Sequence, residues 1–234
     1  MTESELVTGE PDARAARRRL WLELLVVLLV AVVPDTINAL ASLVHVDYGR
    51  PPFWIDAVML LQRSATVCAV VLMLMWLSPD RWREFGIVRW NWKIDPLIAV
   101  VLLPIAWYIS GYVYVVAAFF FPPAAAADLE FPRPSGSELP LLLLMVAANS
   151  VAEEIAIWGF IFTRLAKLSS NAPLAILISA GCFAVYHLYK GPAAAVSILS
   201  IGLLHGVLFW RMRRLWPLVV SHTAWNLIVY AYAT

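Results

Sequence analysis

Charge is scarce in this chain: only 14% of its 234 residues are Asp, Glu, Lys or Arg, whereas 62% are hydrophobic. A surface facing water on all sides carries far more polar groups, so a soluble globular domain is excluded. Cysteine is scarcer still. Cys68 and Cys182 both lie in apolar runs and read as small buried hydrophobes, leaving neither a disulfide framework nor a cysteine-based metal motif. The formal net charge is +1, and no nucleic acid partner is expected, because binding phosphates needs a concentrated basic surface. No internal repeat or pair of broken helices is visible, which disfavours a proton-coupled carrier.

What the chain has in quantity is long apolar runs, with a mean hydropathy of +0.78. At about 20 residues per crossing, the length accommodates an all-α polytopic membrane protein, a bundle of about seven transmembrane helices with a polar intramembrane cavity. Candidate spans are 20–45, 55–78, 95–121, 139–164, 172–189, 193–210 and 216–233. Residues 1–19, which mix Glu, Asp and Arg, are expected to form a disordered cytoplasmic tail, and 20–234 a single transmembrane domain. The run Leu24 to Val33 before Ala39-Leu40-Ala41 has the form of a signal peptide, but Glu23 and the acidic leader point to a retained helix. Pro122 to Glu138 reads as an irregular extracytoplasmic connection, and the amphipathic stretch Pro79 to Asp95 as a segment in the headgroup plane.

Placing the N-terminus in the cytoplasm puts thirteen Lys and Arg residues inside, among them Arg14, Arg19, Arg81, Arg164 and Arg214, and only Arg50, Arg133 and Lys190 outside. Trp21, Trp76, Trp82, Trp90, Trp92, Trp210 and Trp216 fall at the same cytoplasmic ends, where indoles favour the interface. The expected location is therefore an integral membrane one, in the plasma membrane, with the lipid bilayer as a partner.

Ionisable side chains inside such spans are costly and point to function. Asp35 and Arg63 fall at similar depth on the first two spans and read as a structural ion pair. Glu153 and Glu154 are adjacent on the fourth span, about 100° apart around the helix, so they face different neighbours. His222 and Asn226, spaced i and i+4, share one face of the last span, while His187 ends the run Phe183 to His187. His205, beside Gly202 and Gly206, reads as a packing histidine and stays outside the expected site.

In this order, Glu153-Glu154, Phe183 to His187 and His222 to Asn226 resemble the CPBP family of intramembrane proteases, which includes the type II CAAX prenyl proteases and the bacterial Abi group. The resemblance covers a protease-like core at 139–234, and Arg81 to Arg89 resembles the family's entry to that core. It implies an endopeptidase cutting a membrane-associated protein or peptide near the cytoplasmic face. Glu153 would then activate water with His187 beside it, His222 and Asn226 would hold the oxyanion, and Glu154 would act behind them.

The resemblance implies a metal-free site with no cofactor; the alternative is zinc held by Glu153, His187 and His222, although no zinc-protease helix spacing is present. One position departs from the family pattern: Trp158 stands where the family has arginine. Glu154 thereby loses a salt-bridge partner four residues on and must be protonated or find a partner on another span. The alternative function is a non-catalytic binding or immunity protein of the same fold.

Straight upright helices would put Glu153 roughly 16 Å, His222 roughly 9 Å and His187 roughly 22 Å from the cytoplasmic end. A shared site therefore requires tilts, a kink near Gly159 or Pro217, or a fifth span that starts deeper than hydropathy suggests. It also requires the two histidines to lie within about 12 Å of each other.

Overall fold

The computed structural model describes residues 3–43, 52–121 and 134–232, and among these there are helices and turns but no strand. Helix α1 (Glu3–Ala31) continues past Val32 into α2 (Val33–Leu43), and α3 (Phe53–Leu77) returns beside it. Helix α4 (Asp95–Phe120) is followed by α5 (Leu139–Glu154), which runs without a break through a π-helical segment, Ile155–Phe162, into α6 (Thr163–Ser169). Helices α7 (Ala172–Val185), α8 (Pro192–Met212) and α9 (Trp216–Tyr232) complete the bundle.

Five stretches are long and apolar enough to cross a membrane: Ala13–Leu43, Phe53–Leu77, Asp95–Phe120, Gly136–Ser169 and Pro192–Met212. The other two segments of the expected seven are shorter, α7 with 14 residues and α9 with 17. The architecture is an all-α polytopic membrane bundle.

Two expectations need correcting. Residues 3–19 are helical rather than a disordered tail, because Ala13 to Arg19 consists of strong helix formers that extend the first span outward. The stretch Pro79 to Asp95 does not simply lie on the surface. A short turn, Trp82–Phe85, drives Phe85 fully into the core, where it stacks on Phe160 with centroids 6.0 Å apart. Gly86 follows at φ +77°, and its carbonyl accepts from the Leu215 amide at 3.1 Å. Of the irregular connection at 122–138, residues 122–133 lie outside the described residues, while Ser135 and Glu138 form a capping box before α5.

The π segment forms the centre of the core, and all eight of its residues are buried. Gly159 lets it approach Phe85, Met75 and Leu215. Trp158 points the other way and lies over Gly206 of α8, where a Cβ would come within 2.7 Å of the indole and 2.8 Å of Ile176. A tryptophan here thus requires a glycine opposite.

At the end of the bundle that carries the basic residues, fully buried Arg164 ties three elements together. Its guanidinium meets Glu23 of α1 at 2.8 Å and Asp80 at 2.6 Å, and it lies 4.9 Å and 4.7 Å from the Phe85 and Phe160 rings. Lys167 also pairs with Asp80. Burial alone would raise the Asp80 pKa, but the hydrogen bonds from Lys167 and Arg164 hold it below the usual carboxylate value. Leu24 and Val27 are buried beside this cluster, so α1 is built into the bundle.

Gly206→Ala should lower stability in mild detergent by about 1–3 kcal/mol through overpacking against Trp158. Gly181→Ala, where a Cβ meets nothing within 4 Å, should be neutral or stabilising in the same thermal melt. Because Asp80 is more acidic folded than unfolded, its pairing stabilises the fold at pH above the unfolded carboxyl pKa of about 3.9 and is lost as pH falls below that. Asp80→Asn should therefore flatten the acid limb of a stability-versus-pH curve.

Candidate active site

Helix α5 delivers both glutamates into the core, where Glu153 is 8% exposed and Glu154 1%. Their side chains diverge, as adjacent positions on a helix must. Glu154 finds partners on two other helices: His222 Nδ1–H of α9 donates to its Oε1 at 2.9 Å, and His205 Nδ1–H of α8 donates to the same oxygen at 3.1 Å. A carboxylate offers only lone pairs, so each Nδ1 carries the proton in these bonds. The sequence-based alternative of a partner on another span is the one realised, and His205, excluded from the expected site, supplies it.

Fixing Nδ1 of His222 turns its Nε2 toward Glu153, 3.4 Å from Oε2. That Oε2 is buried and accepts no hydrogen bond among the described residues.

His187 arrives by a different route. Helix α7 ends at Val185, and the His187 amide bonds the Ala184 carbonyl at 3.0 Å in the tighter turn that follows. The His187 ring, in the following turn, donates from Nδ1 to the Phe183 carbonyl at 2.8 Å, which is the physical sense of a histidine four residues after that phenylalanine. The neutral ring then has its lone pair on Nε2.

Phe183 also serves as the spacer of the site. Its centroid lies 5.0 Å from that of His187 and 5.8 Å from that of His222, so the two imidazoles fall inside the separation a shared site requires. Helix α7 starts at Ala172, where hydropathy places the fifth span, so a deeper start of that span is not what brings the histidines together.

A cavity of about 280 Å³ is lined by Glu153, His187 and Asn226 together with Asp35, Arg63, Asn149 and Lys190. A smaller one, about 40 Å³, is lined by His187, His205, His222 and Asn226. His187 and Asn226 thus line both. Asn226 makes no hydrogen bond with another side chain among the described residues, and its amide is left to the cavities.

Arg63 pairs with Asp35, its Nε donating to Oδ1 at 2.8 Å, and reaches Asn149 Oδ1 at 3.3 Å. The expected ion pair is present and doubles as cavity wall. Lys190, treated in the sequence as a marker of orientation, is a further wall residue. Among the described residues no three His, Cys, Asp or Glu side chains are grouped so as to hold a metal ion.

Buried carboxylates and imidazoles gathered around a polar cavity, inside helices that span a bilayer, define a membrane protein with an enclosed acid–base site. Residues 135–228 match the family model described as Type II CAAX prenyl endopeptidase Rce1-like, so over that segment the chain is similar to that family. The chain matches no curated protein and no solved structure.

His205→Ala should leave the buried Glu154 with one imidazole and lower stability by about 1–3 kcal/mol, the range for an unsatisfied buried polar group. His205→Gln, which keeps an N–H donor, should recover part of that loss in thermal melts. Equal melting temperatures for wild type and His205→Ala would remove His205 from the network.

Proposed function

We propose that this protein is an intramembrane endopeptidase in which Glu153 activates the hydrolytic water. The observation that carries this reading is the Glu153 carboxylate itself: buried, on the cavity wall, with an oxygen unclaimed by hydrogen bonds and 3.4 Å from an imidazole nitrogen.

Glu153 accepts a proton from water as its oxygen attacks the scissile carbonyl carbon, and the His187 Nε2 lone pair orients that water. The carbonyl oxygen becomes an oxyanion facing the Asn226 amide and, in its doubly protonated form, the His222 Nε2–H. Collapse of the tetrahedral intermediate breaks the C–N bond. The proton held by Glu153 passes to the departing nitrogen, leaving a carboxyl and an amine terminus. Glu154 touches none of the reacting atoms; it fixes the His222 ring through Nδ1. No metal takes part in this scheme. The substrate is a membrane-associated protein or peptide.

The competing reading, a non-catalytic binding or immunity protein, rests on Trp158 in place of the family's arginine. That replacement is offset by His205 and His222, whose Nδ1–H groups give Glu154 two hydrogen-bond donors without an arginine on its own helix.

Glu153→Gln preserves shape and removes the base. Cleavage should fall at least about 100-fold, the lower range for a positioned general base, with an unchanged melting temperature. Full cellular function in Glu153→Gln would favour the non-catalytic reading.

A further inference from the structure

The cavity and the basic residues sit at opposite ends of the bundle. Outward from Glu153 and Asn226, the cavity wall passes Met145 in the second turn of α5, Leu60 in the second turn of α3, Asn38 and Ser42 near the end of α2, and Tyr230 near the end of α9. Lys190, in the turn between α7 and α8, closes the ring. Because successive helices alternate in direction, all of these positions belong to the same end of the molecule, the end of the α2–α3 connection.

In the opposite direction the path from Glu153 is blocked. Ile157, Trp158, Phe160, Ile161 and Phe162 are each no more than 1% exposed, and Phe85, Phe209 and Leu218 are fully buried beyond them. Past this dry layer come Arg164 with Asp80 and Lys167, then Arg211, Arg213 and Arg214.

Lys and Arg in short connections mark the cytoplasmic side of a membrane protein. Among the described residues thirteen of them lie at the blocked end, and Lys190 at the open one. Exposed Trp76, Trp82 and Trp92 also mark an interface at the blocked end.

We infer that the Glu153 site is entered from the extracytoplasmic side, and that its substrate is a membrane-associated polypeptide presenting its scissile bond from that side. The substrate class rests on the proteolytic reading above. A lipid-modified tail in the cytoplasm meets packed aromatic side chains instead of a cavity, so the sequence-based expectation of cleavage near the cytoplasmic face is replaced.

The full-length protein, with Cys68 and Cys182 replaced by alanine, tests this in intact cells. Ser42→Cys at the cavity mouth should react with a membrane-impermeant maleimide added outside, and Arg83→Cys at the basic end only after permeabilisation. The reverse pattern would overturn the assigned side. New N-termini found in wild-type membranes but lost in Glu153→Gln membranes should map to extracytoplasmic or outer-leaflet segments of their proteins. Termini mapping to cytoplasmic segments would overturn the inference even with the labelling as stated. If wild type and Glu153→Gln yield the same termini, the proteolytic reading fails and the substrate class with it, while the labelling separately decides the side.

Discussion

A carboxylate deep in an apolar core must be neutralised or given donors, and in this protein that requirement decides how α5, α8 and α9 meet. Glu154 is 1% exposed and has no cationic partner on its own helix. Both imidazoles that reach it come from elsewhere in the chain, 51 and 68 residues away. Each bond removes a cost of several kcal/mol that an isolated buried charge would impose. Breaking either leaves charge uncompensated, so the arrangement resists sliding of one helix past another. It also sets the His222 tautomer, and through it what faces Glu153. The carboxylate that does no chemistry in the proposed mechanism thus positions the residues that do.

The same region shows how a departure from a family pattern is absorbed. An arginine at 158 would have reached back toward Glu154 along one helix. Tryptophan cannot make that ion pair, and its volume must go somewhere. It goes over Gly206, while the neighbouring residue, His205, turns its ring to Glu154. One turn of α8 therefore does two jobs, making room for the indole and supplying Glu154 with an N–H donor in place of the arginine. The π segment assists, since its wider turn redirects the side chains that follow Glu154.

Much of this was legible in the residues. The helical bundle follows from the apolar runs, and the pairing of Asp35 with Arg63 from their common depth. Glu153, His187, His222 and Asn226 were gathered by motif spacing, and each lines one or both of two cavities that share His187 and Asn226. His205 was not found, because a lone histidine between glycines has the same local pattern as a packing residue. The available signal was indirect: a glutamate that has lost its arginine needs another donor, and His205 was an intramembrane histidine without an assignment. The depth of His187 was obscured for a different reason. Hydropathy extends the fifth span to 189, yet α7 stops at Val185, where the His187 ring bonds the Phe183 carbonyl and the His187 amide turns to the Ala184 carbonyl. A competition between side chain and backbone for one carbonyl leaves no trace in hydropathy. Lys190 was counted only as a charge outside the membrane, since nothing in its neighbours tells that the turn folds back over the cavity.

Polar groups in the bundle divide into two sets with different physics. At the basic end, Arg164, Glu23, Asp80 and Lys167 satisfy one another closely, with the guanidinium sandwiched near two phenyl rings. Such a cluster has little left to offer a ligand, and its role is to hold α1, the Asp80 turn and α6 in register. In the other half, the Glu153 oxygen, the Asn226 amide and the Lys190 ammonium border a cavity instead of pairing fully with neighbours. A fold that could have closed those groups into ion pairs, as it did at Arg164, and instead leaves them bordering open space, bears the cost of incomplete pairing where a substrate and water can complete it. Between the two sets lies the fully buried layer of Trp158, Phe160 and Phe162, which separates the paired end from the cavity that the unpaired groups border.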